Sequence, residues 1–253
     1  MRKSGIRVDL FLFGFFLFGL GFLVAMTPVY NHFSHEIAAE SAVESFYREY
    51  HSDLLAEDDG NEPSHKADDG ENREKPMVYP ELFAAMQAYN EDIYENKQEG
   101  LSDPWCYSAT AINLRDYGVE GETVGVLKIP KMDFEEPVYL GATEDHLDRG
   151  AAQLSISSMP IGGVNTNCVL AGHRGWIGAD HMRYIEKLEV GDPVLLVNLW
   201  SELMYEVVEI RVIEPYQPEE LLIQEGRDLL TIVTCHPYGS GGKHRYVVAC
   251  ERR

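Results

Sequence analysis

The hydrophobic and polar positions divide the chain into segments with different periodicities. Residues 10–29 form an uncharged run of twenty residues, LFLFGFFLFGLGFLVAMTPV. Because a helix rises about 1.5 Å per residue, this run is long enough to cross a hydrocarbon layer of about 30 Å. The run is longer than the apolar core of a cleaved signal peptide and has no convincing cleavage site before Thr27. The pattern therefore favours a retained transmembrane anchor over a cleaved signal peptide.

Residues 30–100 predict a helical extension that is interrupted by an acidic linker. Apolar residues recur loosely at helical spacing after the anchor, at Phe33, Ile37, Phe46, Tyr47, Tyr50 and Leu54. A clearer stripe follows between Pro80 and Gly100, at Leu82, Met86, Tyr89, Ile93 and Lys97. Residues 53–76, between the two, are rich in Asp, Glu, Gly and Pro, and such a composition does not offset the entropy lost on ordering. We therefore predict a helical hairpin with a flexible connection.

From Thr123 onward the pattern changes to short β-type runs that are separated by Gly and Pro. The runs predict strands at 123–129, 137–140, 167–171, 193–199, 205–213, 229–234 and 245–250. Only short helical pieces fit between them, at Glu144–Gly150 and Asp180–Lys187. Many short strands in about 130 residues indicate a mainly β domain over residues 123–253, either a closed barrel or a sandwich.

Composition and charge narrow the class of protein. The 253 residues carry 21 basic and 42 acidic side chains, a formal net charge of −21, and 45% of them are hydrophobic. These values exclude a disordered chain and disfavour a general nucleic-acid binder. Residues 1–9 form a basic tail with Arg2, Lys3 and Arg7, whereas acidic residues dominate after the apolar run. The positive-inside rule therefore predicts a cytoplasmic N terminus, a single membrane pass and an extracellular domain.

The candidate chemistry lies where predicted strands begin or end. Cys235 ends a strand before a glycine-rich loop, His173 follows the strand CVLAG, and Arg245 opens the last strand. A cysteine thiolate is a nucleophile, a histidine protonates a leaving amine near neutral pH, and a permanently charged arginine stabilises an oxyanion. Acyl transfer needs these three roles, and a site at one end of a barrel would bring the three residues together.

The sequence around these residues resembles that of the sortases, membrane-anchored cysteine transpeptidases of the Gram-positive surface. LAGHRG at 170–175 is similar to the histidine motif of that family, and TIVTCHPYGSGGKHR at 231–245 is similar to its TLxTC…R motif. The resemblance implies an eight-stranded sortase β-barrel. It also implies that Cys235 is the nucleophile, His173 the acid/base, and Arg245 the oxyanion or substrate-positioning group.

A second motif resembles one of class C, the pilin-polymerising sortases. Asp103, Pro104 and Trp105, in a predicted lid loop at 101–122, match the Asp-Pro-aromatic lid of that class. The resemblance implies that Asp103 lies near the arginine, here Arg245, and that the tryptophan lies near the catalytic pair. We therefore expect a self-inhibiting lid that substrate displaces.

Class C resemblance also implies a reaction and partners. The enzyme would cleave an LPxTG-like sorting signal of a secreted pilin or surface protein between Thr and Gly, and a lysine amine of another pilin subunit would accept the acyl group. Three alternatives stay open: a sortase that anchors proteins to a peptidoglycan precursor, a non-catalytic pilin-binding scaffold, and plain proteolysis. We predict no cofactor, and no metal site, because no His, Cys or carboxylate cluster shows ligand spacing in the sequence.

The remaining thiols and histidines have less specific interpretations. Cys168 and Cys250 lie inside strand-like runs and are interpreted as small core residues, and Cys106 adjoins the lid tryptophan. His236 stands where the family most often has Thr, and His244 precedes the last strand. Loop histidines of this kind are more often solvated than catalytic.

Overall fold

The computed structural model describes residues 5–51, 77–99, 112–175, 179–215 and 217–253. The α-helices in these ranges are α1 (Gly5–Tyr50), α2 (Pro80–Glu95) and α3 (Glu144–Arg149). The strands in the same ranges are β1 (Thr123–Ile129), β2 (Phe134–Leu140), β3 (Ala151–Gln153), β4 (Thr166–Ala171), β5 (Pro193–Asn198), β6 (Glu202–Ile213), β7 (Asp228–His236) and β8 (His244–Arg252).

The eight strands close into a barrel in the order β1-β2-β3-β4-β7-β8-β6-β5, with β5 paired back to β1. The pairs β2–β3 and β4–β7 are parallel, and the other neighbouring pairs are antiparallel. The short helix α3 lies in the connection between β2 and β3, whereas β5 and β6 lie in the chain between β4 and β7. The predicted closed eight-stranded barrel is thus confirmed, and the sandwich alternative is wrong.

Several strands differ from the sequence prediction: β2 begins at Phe134 and β6 at Glu202, each three residues earlier than predicted, and β8 spans His244–Arg252. β3 (Ala151–Gln153) was not predicted, because its three buried residues AAQ show neither alternation nor β-branched side chains. β7 was predicted to end on Cys235 but runs one residue further to His236, because its ladder with β8 continues through the pairs Cys235–Arg245 and His236–His244. Cys235 is therefore the penultimate residue of β7, and its backbone is still paired with β8.

One predicted helix is wrong. The segment Asp180–Lys187 contains only a short 3-10 helix at Ile185–Lys187. The side chain of Asp180 accepts a hydrogen bond from Arg183 at 3.0 Å, and the backbone makes turns rather than a continuous helix. The other short helix, predicted at 144–150, is confirmed as α3, which begins after the N-cap Thr143.

α1 joins the predicted anchor to the first part of the predicted extension in one helix of 46 residues. Among the described residues it is the one helix long and apolar enough to cross a membrane, with a mean hydropathy of 2.1 over its most apolar 18 residues. Its C-terminal half packs on the barrel through Val43, Phe46 and Tyr47. Phe33 and Ile37, which we assigned to the packing stripe, are instead exposed. They lie outside the face of the helix that contacts the barrel.

α2 is close to its prediction. Leu82, Met86 and Ile93 are buried, and the stripe also includes Asn90, whose side-chain oxygen accepts a hydrogen bond from the Met159 backbone at 2.7 Å. This bond satisfies the buried oxygen of Asn90, whereas its Nδ2 has no hydrogen-bond partner among the described residues, and an apolar pattern reveals neither. The predicted linker at 53–76 and the predicted lid residues Asp103, Pro104 and Trp105 lie outside the described residues.

Candidate functional site

The three predicted catalytic residues lie in one row across three neighbouring strands. In the antiparallel pair β7–β8, Cys235 is directly opposite Arg245. In the parallel pair β4–β7, Ala171 is opposite Val233, and a backbone hydrogen bond of 3.2 Å continues this register past the end of β4. His173 comes two residues after Ala171, just past the end of β4, as Cys235 comes two residues after Val233 in β7. Because residues at matching positions of paired strands share a face, Cys235 and Arg245 lie on the same side of the sheet, and the same register continued past β4 assigns His173 to the same row.

The next residue along each of these strands lies in a second row on the opposite face. This row contains Arg174 and the opposed pair His236 and His244. Arg174 Nη1 lies 2.7 Å from His236 Nδ1 and donates to the Cys235 carbonyl at 3.3 Å, while its Nη2 lies 2.5 Å from Glu186. The Arg174 side chain is only 2% exposed. Arg174 therefore binds the Cys235 carbonyl from the opposite face of the sheet, and His236 and His244 do not share the face of the thiol.

The loop between β7 and β8 closes over the Cys235–Arg245 pair at Gly242. Arg245 Nη1 donates to the Gly242 carbonyl at 2.6 Å and to the His244 carbonyl at 3.2 Å. Gly242 has a φ of +78°, and a Cβ at this position would lie 3.1 Å from the Cys235 sulfur and 3.0 Å from Arg245 Nη1. Only glycine combines this backbone conformation with so close an approach. The loop backbone thus packs against both the thiol and the guanidinium.

His173 contacts a carboxylate from α3 and a second histidine. Its Nε2 lies 3.2 Å from Asp148 Oδ1, and its ring centroid lies 5.9 Å from that of His181. Burial lowers the pKa of His173, and His181 lowers it further, whereas Asp148 raises it. The net direction is downward. The ring is therefore largely a neutral imidazole near pH 7, able to accept a proton.

The thiols of the described residues differ in their surroundings. Cys168 and Cys250 are buried within β4 and β8, and burial raises the pKa of both, that of Cys250 to about 12. Leu230 of β7 lies between them in the sheet, and neither forms a disulfide. Their predicted role as core residues is confirmed. Cys235 is partly exposed and lies beside a guanidinium, so it is the thiol of this group that a substrate can reach. Cys106 lies outside the described residues.

The sequence analysis missed three residues at this site. Arg174 stands next to His173 inside the LAGHRG segment, and strand alternation would have placed it behind the thiol. Gly242 belongs to a loop with several glycines, and no local signal distinguishes the one that contacts the sulfur. Asp148 precedes His173 by 25 residues on α3, so its contact depends on how that helix packs.

A family model described as a sortase domain matches residues 127–253, half of the chain. The chain belongs to the sortase family. Its structure is similar to that of sortase C1 from Streptococcus agalactiae in complex with MTSET, with a TM-score of 0.64 and 30% identity over 72% of this chain and 93% of that chain. It is also similar to sortase C from Clostridium perfringens SM101, with a TM-score of 0.58, 30% identity and the same two coverages. The resemblance to class C sortases expected from the sequence is confirmed.

Two curated relatives extend the comparison beyond class C. Sortase D of Bacillus subtilis is 29% identical over 134 residues, which are 52% of this chain and 65% of the relative. Sortase SrtE1 of Streptomyces coelicolor is 30% identical over 186 residues, which are 66% of this chain and 51% of the relative. The chain thus spans less than two thirds of the length of these curated relatives.

Proposed function

We propose that the protein is a cysteine transpeptidase of the class C type, which joins secreted proteins through their sorting signals. The row formed by His173, Cys235 and Arg245 supports this function more than any other observation. It brings an accessible thiol, a largely neutral imidazole and a permanent cation to one face at the rim of the barrel. Acyl transfer needs a group of each kind.

In the proposed first half-reaction, the Cys235 sulfur attacks the carbonyl carbon of the Thr–Gly bond in an LPxTG-like signal. His173 takes the thiol proton, and the Arg245 guanidinium stabilises the oxyanion that forms on the carbonyl oxygen. His173 then gives the proton to the glycine nitrogen as the C–N bond breaks. The products are a thioester on Cys235 and a released fragment with a new amino terminus.

In the proposed second half-reaction, an amine attacks the thioester carbon and the C–S bond breaks. The attacking nitrogen loses a proton to His173, and Cys235 regains a proton as the thiol leaves. We propose a lysine of another pilin subunit as the acceptor, because the chain resembles class C sortases. The product would be an isopeptide bond between subunits.

We propose that α1 holds the enzyme in the cell membrane, with residues 1–9 in the cytoplasm and the barrel outside. The uncharged run at 10–29 and the basic residues before it support this orientation. A tag at residue 1 should resist protease in intact cells, while the acidic segment 53–76 should be cut. A mature protein that begins near residue 30 would contradict a retained anchor.

We propose that Asp103 and Trp105 belong to a lid over Cys235, on the strength of the sequence motif. The double variant Asp103→Ala/Trp105→Ala should then speed alkylation of Cys235 by a small thiol reagent, measured at that residue by mass spectrometry. Opening the lid raises the fraction of competent enzyme. Equal alkylation rates in the wild type and the double variant would contradict the lid.

The function is tested with the full chain in detergent, a sorting-signal peptide and two candidate amines, a pilin lysine peptide and a peptidoglycan precursor amine. Mass spectrometry should find the isopeptide product with the wild type and no product with Cys235→Ala. Cys168→Ala is the matched control and should keep turnover, because that thiol is buried. Product with the precursor amine alone would indicate an anchoring sortase. Hydrolysis alone would indicate a protease, and binding without product a scaffold.

A further inference from the structure

Three side chains that are distant in sequence meet where α1 packs against the barrel. His35 comes from α1, Glu136 from β2, and His181 from the segment between β4 and β5. One possible ligand atom from each lies within 4.8 Å of the others. His181 Nδ1 lies 3.3 Å from Glu136 Oε1, and the rings of His35 and His181 have their centroids 4.2 Å apart. His181 also contacts the His173 ring, but none of these three side chains has a role in the proposed transpeptidase steps.

The cluster is largely buried, and two of its nitrogen atoms lack hydrogen-bond partners among the described residues. The side chain of His181 is 1% exposed and that of Glu136 is 9% exposed. The Nε2 atoms of His35 and His181 are both buried, and neither has a hydrogen-bond partner among the described residues. Buried polar atoms without a partner are uncommon, because each costs the free energy of its lost hydration. A bound ion would accept an imidazole lone pair and remove that cost.

The surroundings of the cluster attract a cation. A cavity of about 460 Å³ opens beside it between α1 and the barrel. The carboxylates that line this cavity are Glu36, Glu40, Asp133, Glu135, Glu136 and Asp180. Among the described lining residues there is no lysine or arginine. The nearest basic partners, Lys128 at 3.7 Å from Glu135 and Arg183 at 3.0 Å from Asp180, compensate only two of the six charges.

The donor types decide which cation fits. Two imidazoles and one carboxylate are the ligand set that Zn²⁺ takes in many three-ligand protein sites, whereas Ca²⁺ and Mg²⁺ prefer oxygen ligands alone. We propose that His35, Glu136 and His181 form a site for a divalent transition metal ion, with Zn²⁺ as the expected occupant. The ion would join α1 to the barrel next to the segment that carries His173.

The position of the site along α1 is compatible with access from solvent. His35 follows Val29, the end of the predicted membrane span, by six residues, or about 9 Å along a helix axis. The cavity beside it gives a path for the ion, and its carboxylates concentrate cations near the entrance. The site therefore lies outside the hydrocarbon layer, on the barrel side of the anchor.

Calorimetric titration of the full chain in detergent with ZnCl₂, after dialysis against a chelator, tests the proposal. The wild type should bind one Zn²⁺ per chain at the site, and His35→Ala and Glu136→Gln should each weaken this affinity by more than about tenfold. The matched control is His32→Ala, one turn earlier on the same face of the cavity but outside the cluster, which should bind as the wild type does. Equal affinities of the wild type and His35→Ala would overturn the proposal, since they would indicate binding to the acidic residues alone.

Two further measurements keep the result interpretable. His35→Ala should unfold at the wild-type temperature without zinc, because α1 also packs through Val43, Phe46 and Tyr47. Zinc should raise the unfolding temperature of the wild type more than that of His35→Ala. Co²⁺ should give the visible absorption of a nitrogen-ligated ion with the wild type and not with His35→Ala. An identical Co²⁺ spectrum in the two proteins would also overturn the site.

Discussion

The row of three proposed catalytic residues and the proposed metal site contact each other through the rings of His173 and His181, but the fold assembles them in different ways. In the row of His173, Cys235 and Arg245, strand pairing sets Cys235 opposite Arg245, and His173 follows β4, whose register with β7 is fixed as far as the pair Ala171–Val233. The cluster of His35, Glu136 and His181 exists only while α1 is packed on the barrel. The row should therefore keep its geometry when α1 moves, whereas the cluster of His35, Glu136 and His181 should lose it.

The contacts that hold α1 are few compared with a strand ladder. Val43, Phe46 and Tyr47 belong to the main core, and two polar bonds accompany them. Tyr47 donates to Glu135 at 2.8 Å, and His51 Nε2 lies 2.6 Å from the Asn198 carbonyl oxygen. Burial raises the pKa of the Tyr47 hydroxyl above its ordinary value, so this group stays a donor at all working pH values. Substitutions at the barrel rim and substitutions at the contact of α1 therefore affect different sets of interactions.

The largest expected effect is the loss of Arg245. Arg245→Ala should reduce turnover of a sorting-signal peptide by about 10²–10³ or more, because the oxyanion would lose its charged donor. The control is Arg252→Ala, at the far end of the same strand, where the side chain is partly exposed and donates to the Met204 carbonyl. Steady-state kinetics measure both. Turnover of Arg245→Ala within tenfold of the wild type would show that Arg245 does not stabilise the oxyanion.

The next effect concerns the residue behind the thiol. Arg174→Ala should lower the free energy of unfolding by about 1–3 kcal/mol, because buried charge-assisted hydrogen bonds to His236 and the Cys235 carbonyl are lost. Arg183→Ala is the control, since its ion pair with Asp180 is exposed and should contribute less than about 1 kcal/mol. Denaturant unfolding measures the difference. Equal stabilities of the two variants would show that Arg174 does not hold the strand end.

The contrast between the clusters also explains which parts of the structure the sequence could predict. Strand ends place Cys235, His173 and Arg245 within short, recognisable segments, and strand pairing fixes the shared face of Cys235 and Arg245. The proposed metal site has no local sequence signal, because His35, Glu136 and His181 come from three separate parts of the chain. The prediction that no metal site exists followed from local spacing alone, and local spacing does not describe the packing of a helix. The same limit applies to Asp148, which reaches His173 from α3.

A smaller effect tests how closely the β7–β8 loop contacts the reacting groups. Gly242→Ala should reduce turnover by about tenfold or more relative to Gly241→Ala, since a Cβ at Gly242 displaces the Cys235 sulfur or the Arg245 guanidinium. Both glycines have positive φ, so both variants carry a similar backbone strain of about 1–2 kcal/mol. A Cβ at Gly241 meets no described atom within 4 Å. Equal kinetics would mean that the loop moves away during turnover.

The smallest expected effect tests the helix side of the comparison. Tyr47→Phe removes the hydrogen bond to Glu135 but keeps the packed ring, so the unfolding free energy of the full chain in detergent should fall by about 0.5–1.5 kcal/mol. Turnover should stay within about twofold of the wild type, because strand register and not α1 positions Cys235. Tyr30→Phe is the control on the exposed face of the same helix. A large loss of turnover in Tyr47→Phe with an intact barrel would mean that the docked helix also supports the catalytic row, since His181 contacts both clusters and would then transmit the change.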